Sequence, residues 1–237
     1  MHFAPFFPLI QPALKTVFSQ CLWEGCPRQG AIALTFDDGP HPQYTLPLLE
    51  VLAQYQVSAS FFWLGCNVER AAAVARQVYE QGHWIGLHGY THQAFPLLSP
   101  MELKASLVRT QGAIAQACHL DPAAVRRTIR DVRPPNGLFT PQTLDHLQQW
   151  GYRPVMWSVV PEDWVRPGVQ VVLDRIRQQV RSGSLVVLHD GYHGGADVRA
   201  IVAQLIPQLL AEGYHFITID QLWQSARLPV IPDGLLK

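Results

Sequence analysis

The sequence has little charge and no long apolar run. Charged residues make up only 15% of the 237 residues, the formal net charge is zero, and no run of lysine or arginine occurs. Nothing in the overall charge therefore favours a polyanionic partner, and we expect no nucleic acid to bind. No stretch approaches the roughly 20 consecutive apolar residues that a membrane-spanning helix needs, so we expect no stable insertion into a membrane.

A recognisable export signal is also missing from the first residues. Residues 1–10 are apolar, but Pro5 and Pro8 interrupt them, and they lack a basic n-region and a small-residue cleavage site. They therefore make a poor signal peptide. We interpret residues 1–29 as an N-terminal arm laid over a domain that spans residues 30–222, with a C-terminal tail at 223–237.

Cysteine is scarce as well. The chain has only four cysteines, which are too scattered for a disulfide scaffold: Cys21, Cys26, Cys66 and Cys118. Only Cys21 and Cys26 are close in sequence, and the sequence leaves open whether they form a local bridge. Tryptophan and tyrosine, in contrast, are frequent, with seven of each. Core packing and stacking on flat sugar or base faces both explain these aromatic residues.

What the sequence does have is a regular alternation of short apolar strands and helical stretches. Strands are predicted at residues 30–36, 58–64, 84–88, 154–160, 185–188 and 214–219, with a further strand that ends near Arg133. Helices are predicted at residues 44–55, 68–81, 100–118, 141–150, 169–181 and 198–212. Ser99 and Pro100 are expected to be the N-cap and the first residue of the third helix. Repeated βα units predict an α/β fold with a parallel sheet, closed or nearly closed into a barrel.

The first strand ends on two adjacent carboxylates. Asp37 and Asp38 follow an apolar run, and Gly39-Pro40 then breaks the strand. Neighbouring carboxylates repel each other unless a cation or an arginine separates their roles. An isolated Asp-Asp pair is more often a loop with a capping aspartate, so its interpretation depends on the residues at the other strand ends.

Two histidines follow the third strand. His88 and His92 are four residues apart, which lets both imidazoles face one cation in a helical or tightly turned segment. This spacing alone is weak, because surface histidines at that separation are common. Together with one aspartate from another strand end, the histidines give two imidazoles and one carboxylate. That ligand set leaves positions open, as in a catalytic rather than a structural metal site.

Other strand ends carry an arginine, an acid and a histidine. Arg133 precedes two prolines and can hold a carboxylate in its planar fork, the alternative being a plain turn with a solvent-facing arginine. Asp163 and Trp164 follow the strand at 154–160. An apolar strand runs directly into His189, which makes this imidazole a candidate proton donor, the alternative being an ordinary loop histidine.

Five stretches, taken in order, resemble the motifs of the polysaccharide deacetylases with a NodB homology domain, carbohydrate esterase family 4. They are Thr35-Phe36-Asp37-Asp38-Gly39, His88-x-x-x-His92, Arg133-Pro134-Pro135-Asn136-Gly137, Asp163-Trp164 and residues 185–189. The resemblance runs from about residue 30 to 222, and the whole sequence is also similar to a cyanobacterial branch of the family. It implies a NodB-like, distorted (β/α)7-type barrel.

The resemblance also implies a set of residue roles. Asp38, His88 and His92 would bind one divalent metal ion, with Zn²⁺ preferred and Co²⁺ or Ni²⁺ able to fit the same ligands. Asp37 would be the general base and His189 the general acid.

Further roles concern orientation and substrate contact. Arg133 would orient Asp37, and Asp163 would tune His189. The backbone N–H of Asn136 would help to form an oxyanion hole, with Pro135 and Trp164 completing the substrate-binding side. For Trp164, a half-buried core position is an equally good interpretation.

The function implied by the resemblance is hydrolysis of a linear amide. The enzyme would remove N-acetyl groups from N-acetylglucosamine-containing polysaccharide, such as peptidoglycan, a chitin-type oligomer or an extracellular glycan. We expect a monomer whose partner is the acetylated glycan. The envelope substrates of the family suggest the periplasm or cell envelope.

Three positions depart from the family pattern. Gly89 stands where serine or threonine is usual, which removes a hydroxyl expected to steady the loop of the metal ligands. Asn136 stands where tyrosine is common, and Val160 where an acidic residue is frequent. None of these changes removes a proposed ligand, base or acid.

Four other functions are compatible with parts of this pattern. They are O-deacetylation of a glycan, hydrolysis of a small cyclic amide such as allantoin, sugar binding without catalysis, and the iron site of an oxygenase. The complete Asp38, His88 and His92 set argues against the cyclic amide hydrolases that lack it. The βα alternation and the second acid beside the ligand argue against the oxygenase.

Overall fold

Seven parallel strands form the centre of the computed structural model, which describes residues 6–26 and 30–227, without the side chains of residues 225–227. The strands are β1 (Ala31–Asp37), β2 (Ser60–Trp63), β3 (Trp84–Leu87), β4 (Asp131–Val132), β5 (Arg153–Pro154), β6 (Leu185–His189) and β7 (His215–Phe216). Their order is β5-β4-β3-β2-β1-β6, and β7 pairs with the beginning of β1. The central strands are buried on both faces, as expected for a parallel sheet covered by helices.

Helices connect and cover these strands. They are α1 (Phe7–Val17), α2 (Thr45–Gln54), α3 (Gly65–Arg70), α4 (Ala72–Glu80), α5 (Pro100–Ala117), α6 (Pro122–Thr128), α7 (Pro141–Gln149), α8 (Val169–Gln179), α9 (Gly195–Ala211) and α10 (Ile219–Arg227). Short 3-10 turns lie at Phe95–Leu97, Pro135–Gly137 and Asp163–Val165. The predicted start of α5 is confirmed: Ser99 is its N-cap, Pro100 its first residue, and Ser99 forms a capping box with Glu102.

The N-terminal segment helps to complete the barrel. Beyond β5 the chain leaves β4 and reaches β6, where Val159 forms a bridge with Val186. Leu22 bridges Val155 between the edge strands β5 and β6, where the barrel closes at a seam. Its N–H donates to the carbonyl oxygen of Pro154 at 2.9 Å, and its own carbonyl accepts from Met156 N–H at 2.8 Å. The predicted α/β fold of the distorted (β/α)7 type is therefore confirmed, with a seam that is bridged rather than regularly paired.

Several predicted boundaries differ from the structure. In place of the strand predicted at 154–160, only Arg153–Pro154 pair regularly, because the backbone bonds of the following residues pass to Leu22 and then to β6. The helix predicted at 68–81 is two helices, α3 and α4, separated at Ala71, where φ is −126° and ψ 44°. The strand predicted at 214–219 is shortened to β7, since α10 already begins at Ile219.

The arm and tail are described only in part. Within residues 6–26, Phe7 and Trp23 are buried in the core, and the ring of Phe18 lies 5.0 Å from that of Phe139. Helix α10 (Ile219–Arg227) runs across the boundary between residues 222 and 223, where the tail was predicted to begin. Residues 1–5, 27–29 and 228–237 of the predicted arm and tail lie outside the described residues, and the domain boundaries stay predictions.

Two further sequence questions have structural answers. All four cysteines are free thiols, so Cys21 and Cys26 do not form a bridge in this structure. Among the helices that the structure describes, none has the length and apolar character required to cross a membrane.

Candidate active site

A cavity of about 290 Å³ opens at the C-terminal ends of the strands. Of the predicted site residues, those that line it are Asp37, Asp38, His88, His92, Asn136, Trp164 and His189. Arg133 and Asp163 lie behind this lining and contact it through hydrogen bonds. Residues from separate βα units thus converge, as expected where parallel strands end at one face of a barrel.

Asp38 and two histidines form a compact group of possible metal ligands. Asp38 Oδ1 lies 3.4 Å from His88 Nε2 and 3.5 Å from His92 Nε2. Ligand atoms about 2 Å from one ion in tetrahedral geometry are about 3.3 Å apart, so the spacing fits a single cation. Asp38 Oδ1 is buried and, among the residues described, has no hydrogen-bond partner, which a cation would supply. The donor set therefore fits a divalent ion.

The two imidazoles are held differently. His88 is buried, and its Nδ1 lies 2.8 Å from the carbonyl oxygen of Arg133. Because a carbonyl oxygen can only accept, Nδ1 carries the proton of the neutral imidazole, and the unprotonated Nε2 faces Asp38. Burial lowers the pKa of His88 despite the opposing charges of Asp37 and Asp38, which favours the neutral form that binds metals. His92 is 38% exposed and comes from the loop that follows β3.

Asp37 is held by an arginine rather than by the histidine group. Arg133 is fully buried, and its Nη1 donates to Asp37 Oδ1 at 2.5 Å and to Thr35 Oγ1 at 2.8 Å. Its Nη2 donates to the carbonyl oxygen of Met156 at 2.8 Å, and its guanidinium lies 4.0 Å from the centre of the Phe62 ring. The adjacent carboxylates of Asp37 and Asp38 are thereby given different partners.

His189 is paired with Asp163. The imidazole Nδ1 lies 2.8 Å from Asp163 Oδ1, and the backbone N–H of His189 donates to Asp163 Oδ2 at 2.8 Å. Burial alone would lower the pKa of His189. The charge and hydrogen bond of Asp163, with the charges of Asp38 and Asp37, outweigh burial and raise this pKa to about 9. The imidazole is therefore protonated at neutral pH, with Nε2 as the second proton-bearing atom.

The remaining predicted residues lie in two 3-10 turns beside the cavity. Asn136 has a left-handed backbone, with φ 57°, in a 3-10 turn, and it lines the cavity. Pro135 is buried in the same turn and does not belong to the lining, so its effect is on the turn rather than on a bound molecule. Trp164 is 37% exposed, and its ring meets that of His189 edge to face at 5.3 Å.

Three lining residues were not predicted from the sequence: Trp157, Val187 and His193. Val187 precedes His189 by two residues on β6, so strand alternation places both on one face and could have identified it. Trp157 belongs to the irregular segment after β5, where alternation carries no such information. Its ring approaches Gly137, and a Cβ at that glycine would lie 2.7 Å from the ring.

Asp190 is a further acid that the sequence did not single out. It is fully buried, its Oδ2 accepts from Thr45 Oγ1 at 2.5 Å, and its N–H donates to the carbonyl oxygen of Asp37 at 3.1 Å. Burial raises the pKa of Asp190 to about 7, with the charges of Asp38 and Asp37 adding to the effect and Thr45 opposing it. Asp190 thus holds the backbone at the end of β1, from which Asp37 and Asp38 project. Its position beside His189 was the only sequence signal.

The fold and the cavity define an α/β-barrel protein whose polar cluster lies at the carboxyl ends of parallel strands, where such barrels place their active sites. Comparison with protein families identifies which barrel this is. The family model for polysaccharide deacetylase matches residues 24–155, more than half of the chain, and the chain belongs to that family.

Curated relatives agree with this assignment. A peptidoglycan-N-acetylglucosamine deacetylase of Bacillus cereus is 32% identical over 202 residues, which cover 84% of this chain and 91% of the relative. A chitooligosaccharide deacetylase of a Bradyrhizobium species is 34% identical over 204 residues, covering 81% of this chain and 90% of the relative.

Solved structures share the fold. A peptidoglycan N-acetylglucosamine deacetylase superposes with a TM-score of 0.81 at 24% identity, covering 90% of this chain and 96% of that one, a likeness of fold alone. A pseudoenzyme of carbohydrate esterase family 4 from Bacillus anthracis gives 0.76 at 25% identity, covering 87% and 69%. A family 4 acetyl xylan esterase from Clostridium thermocellum, in complex with a cobalt ion, gives 0.72 at 27% identity, covering 82% and 90%.

Proposed function

We propose that this protein is a metal-dependent hydrolase that removes N-acetyl groups from N-acetylglucosamine-containing polysaccharide. The observation that carries the proposal is the convergence of three groups of side chains on one cavity. They are the Asp38 carboxylate beside two imidazoles, the Asp37–Arg133 pair, and the His189–Asp163 pair. The names of the relatives support an acetylated glycan as the substrate.

Asp38, His88 and His92 would hold the metal ion, since their possible ligand atoms lie within 4.8 Å of one another. A divalent ion at this position, Zn²⁺ or in its place Co²⁺ or Ni²⁺, supplies Lewis acidity that polarises the amide carbonyl and lowers the pKa of water. The cobalt ion bound to the acetyl xylan esterase, a structure of similar fold, supports a divalent metal here.

Asp37 acts as the general base. It accepts a proton from the water that attacks the amide carbonyl carbon, while Arg133 keeps the carboxylate oriented. The backbone N–H of Asn136, at the cavity wall, donates to the oxyanion that forms on the former carbonyl oxygen. One such donor contributes roughly 3–4 kcal/mol in other hydrolases.

His189 acts as the general acid. An amine leaves only when its nitrogen is protonated, and the Asp163 carboxylate keeps the imidazole charged at neutral pH. The C–N bond breaks as Nε2–H is transferred to the nitrogen, giving acetate and a free amine on the sugar. Trp164 provides an apolar wall beside His189 for the acetyl methyl group or the sugar face.

O-deacetylation is a second candidate, favoured by the structural likeness to an acetyl xylan esterase. The same cavity could position an ester carbonyl in place of an amide. An alcohol depends less than an amine on protonation before it leaves, so the esterase would rely less on His189.

A panel of substrates tests the proposal. Zinc-loaded protein is incubated with chitotetraose, peptidoglycan, acetylxylan and allantoin, and both acetate and new amines are measured. We expect equal amounts of acetate and amine from chitotetraose or peptidoglycan, and loss of both in Asp37→Asn but not in Asp145→Asn, an exposed acid on α7. Acetate without amine would favour the esterase. Glycan binding without any product would indicate a sugar-binding domain, and turnover of allantoin alone would reject a deacetylase.

A further inference from the structure

The loop between the two histidines has a glycine at which no side chain fits well. Gly89 has a φ of +90°, which residues with a side chain rarely adopt. A Cβ at this position would lie 3.0 Å from the carbonyl oxygen of Thr91 and 3.7 Å from the hydroxyl oxygen of Ser106. The loop therefore cannot easily carry its own hydroxyl at residue 89, but a hydroxyl from α5 lies beside that place.

Ser106 is directed at this loop. Its hydroxyl oxygen accepts a hydrogen bond from the backbone N–H of Tyr90 at 2.7 Å. A serine in the middle of a helix commonly bonds the carbonyl of its own preceding turn or points to solvent. Here the side chain of Ser106, in α5, instead bonds a loop residue sixteen positions earlier in the sequence.

Two backbone hydrogen bonds from α3 also hold the loop, at different atoms from the one that Ser106 contacts. Gly65 N–H donates to the carbonyl oxygen of Gly89 at 3.0 Å, and Cys66 N–H donates to that of Tyr90 at 2.9 Å. These bonds hold the loop by its carbonyl groups, whereas Ser106 holds it by the N–H of Tyr90. Carbonyl and N–H together fix the orientation of the peptide planes that lead to His92.

We propose that Ser106 is a positioning residue for the metal site, supplying from α5 the hydroxyl that Gly89 lacks and thereby holding His92 against Asp38. The inference rests on the metal dependence proposed above. His92 depends on the loop more than His88 does, because His88 is buried and fixed by the Arg133 carbonyl, whereas His92 is 38% exposed. Loss of an outer partner of a metal ligand typically lowers metal affinity by about 10- to 100-fold.

The test measures Zn²⁺ affinity of the full chain, stripped of metal and titrated against a chelator. Ser106→Ala is expected to bind Zn²⁺ about tenfold more weakly than the wild type. The matched control is Ser182→Ala, which removes an equivalent hydroxyl that accepts from Gly30 N–H at 3.0 Å, at the opposite end of β1. Ser182→Ala should leave the affinity unchanged, and the metal-free melting temperature shows whether either variant is generally destabilised.

A second pair of variants isolates the hydroxyl. Ser106→Thr and Ser106→Val have nearly the same shape, but only threonine keeps an oxygen that can accept from Tyr90 N–H. Affinity retained in Ser106→Thr and reduced in Ser106→Val supports the inference. Equal affinity in both, or a loss in Ser182→Ala as large as that in Ser106→Ala, overturns it. Failure of the metal proposal itself gives a different result. The wild type would then bind no Zn²⁺, or would bind Zn²⁺ that His88→Ala also binds.

Discussion

The carboxylate of Asp163 contacts His189 twice, through the imidazole Nδ1 at 2.8 Å and through the backbone N–H at 2.8 Å. Two contacts from one carboxylate fix both the rotation of the ring and the position of its main chain. They also leave Nε2 as the atom that can give a proton to the cavity. This relationship predicts how the protein responds to pH.

In metal-free protein, His189 should titrate with a pKa of about 9, above the value of 6.5 for an ordinary histidine. Because the folded pKa is raised, the stabilising effect of the pair is fully present below about pH 6.5 and is lost as the pH rises through about 9. The free energy of unfolding, measured by urea titration from pH 6 to 10, should therefore fall in the wild type. Asp163→Asn should remove most of this dependence, since burial then dominates the pKa of His189. An unchanged profile in that variant would contradict the pairing.

Removal of the His189 imidazole should slow catalysis without affecting metal content. His189 is not among the proposed ligands, and a general acid typically contributes about 10²- to 10⁴-fold to the rate. His189→Ala, measured for kcat on chitotetraose and for zinc by atomic absorption, should show a loss of that size with stoichiometric metal. If the variant keeps full activity, another group protonates the amine.

Substitution of either proposed histidine ligand should abolish metal binding. His88→Ala and His92→Ala each leave only two of the three proposed protein ligands, because alanine has no atom that can replace the lost imidazole nitrogen. His146→Ala is the control, since this imidazole lies on α7, stacks on Trp150 and does not line the cavity. Zinc content after dialysis is the measurement, and stoichiometric zinc in both ligand variants would refute the assignment.

The residues at strand ends could be predicted because their signals are local. Asp37 and His189 each come at the end of a largely apolar strand, and Asp38 follows Asp37, so buried strands carry them to one face of the barrel. The start of α5 was equally predictable, since Ser99 and Pro100 have the sequence signature of a helix N-terminus.

The parts that could not be predicted depend on contacts between distant segments. Nothing in residues around Leu22 indicates that they bridge Val155 at the barrel seam. The hydrogen bond between Thr45 and Asp190 joins residues 145 positions apart, and that between Ser106 and Tyr90 crosses from a helix to a loop. Local sequence patterns indicate where a strand or helix ends. Which distant side chains contact that end is decided only when the barrel is assembled.

The buried pair of Arg133 and Asp37 should dominate the stability of the site. Arg133→Met leaves the Asp37 carboxylate, 2% exposed, without its positive partner, and breaking a buried pair in this way typically costs about 3–5 kcal/mol. The double variant Arg133→Met with Asp37→Asn removes both charges, so it should unfold at a higher urea concentration than Arg133→Met alone. Both variants should lack activity, because Asp37 is then either misoriented or neutral. If instead the double variant is less stable than Arg133→Met by the full cost of Asp37→Asn in the wild type, the two residues are not energetically coupled, and the orienting role of Arg133 fails.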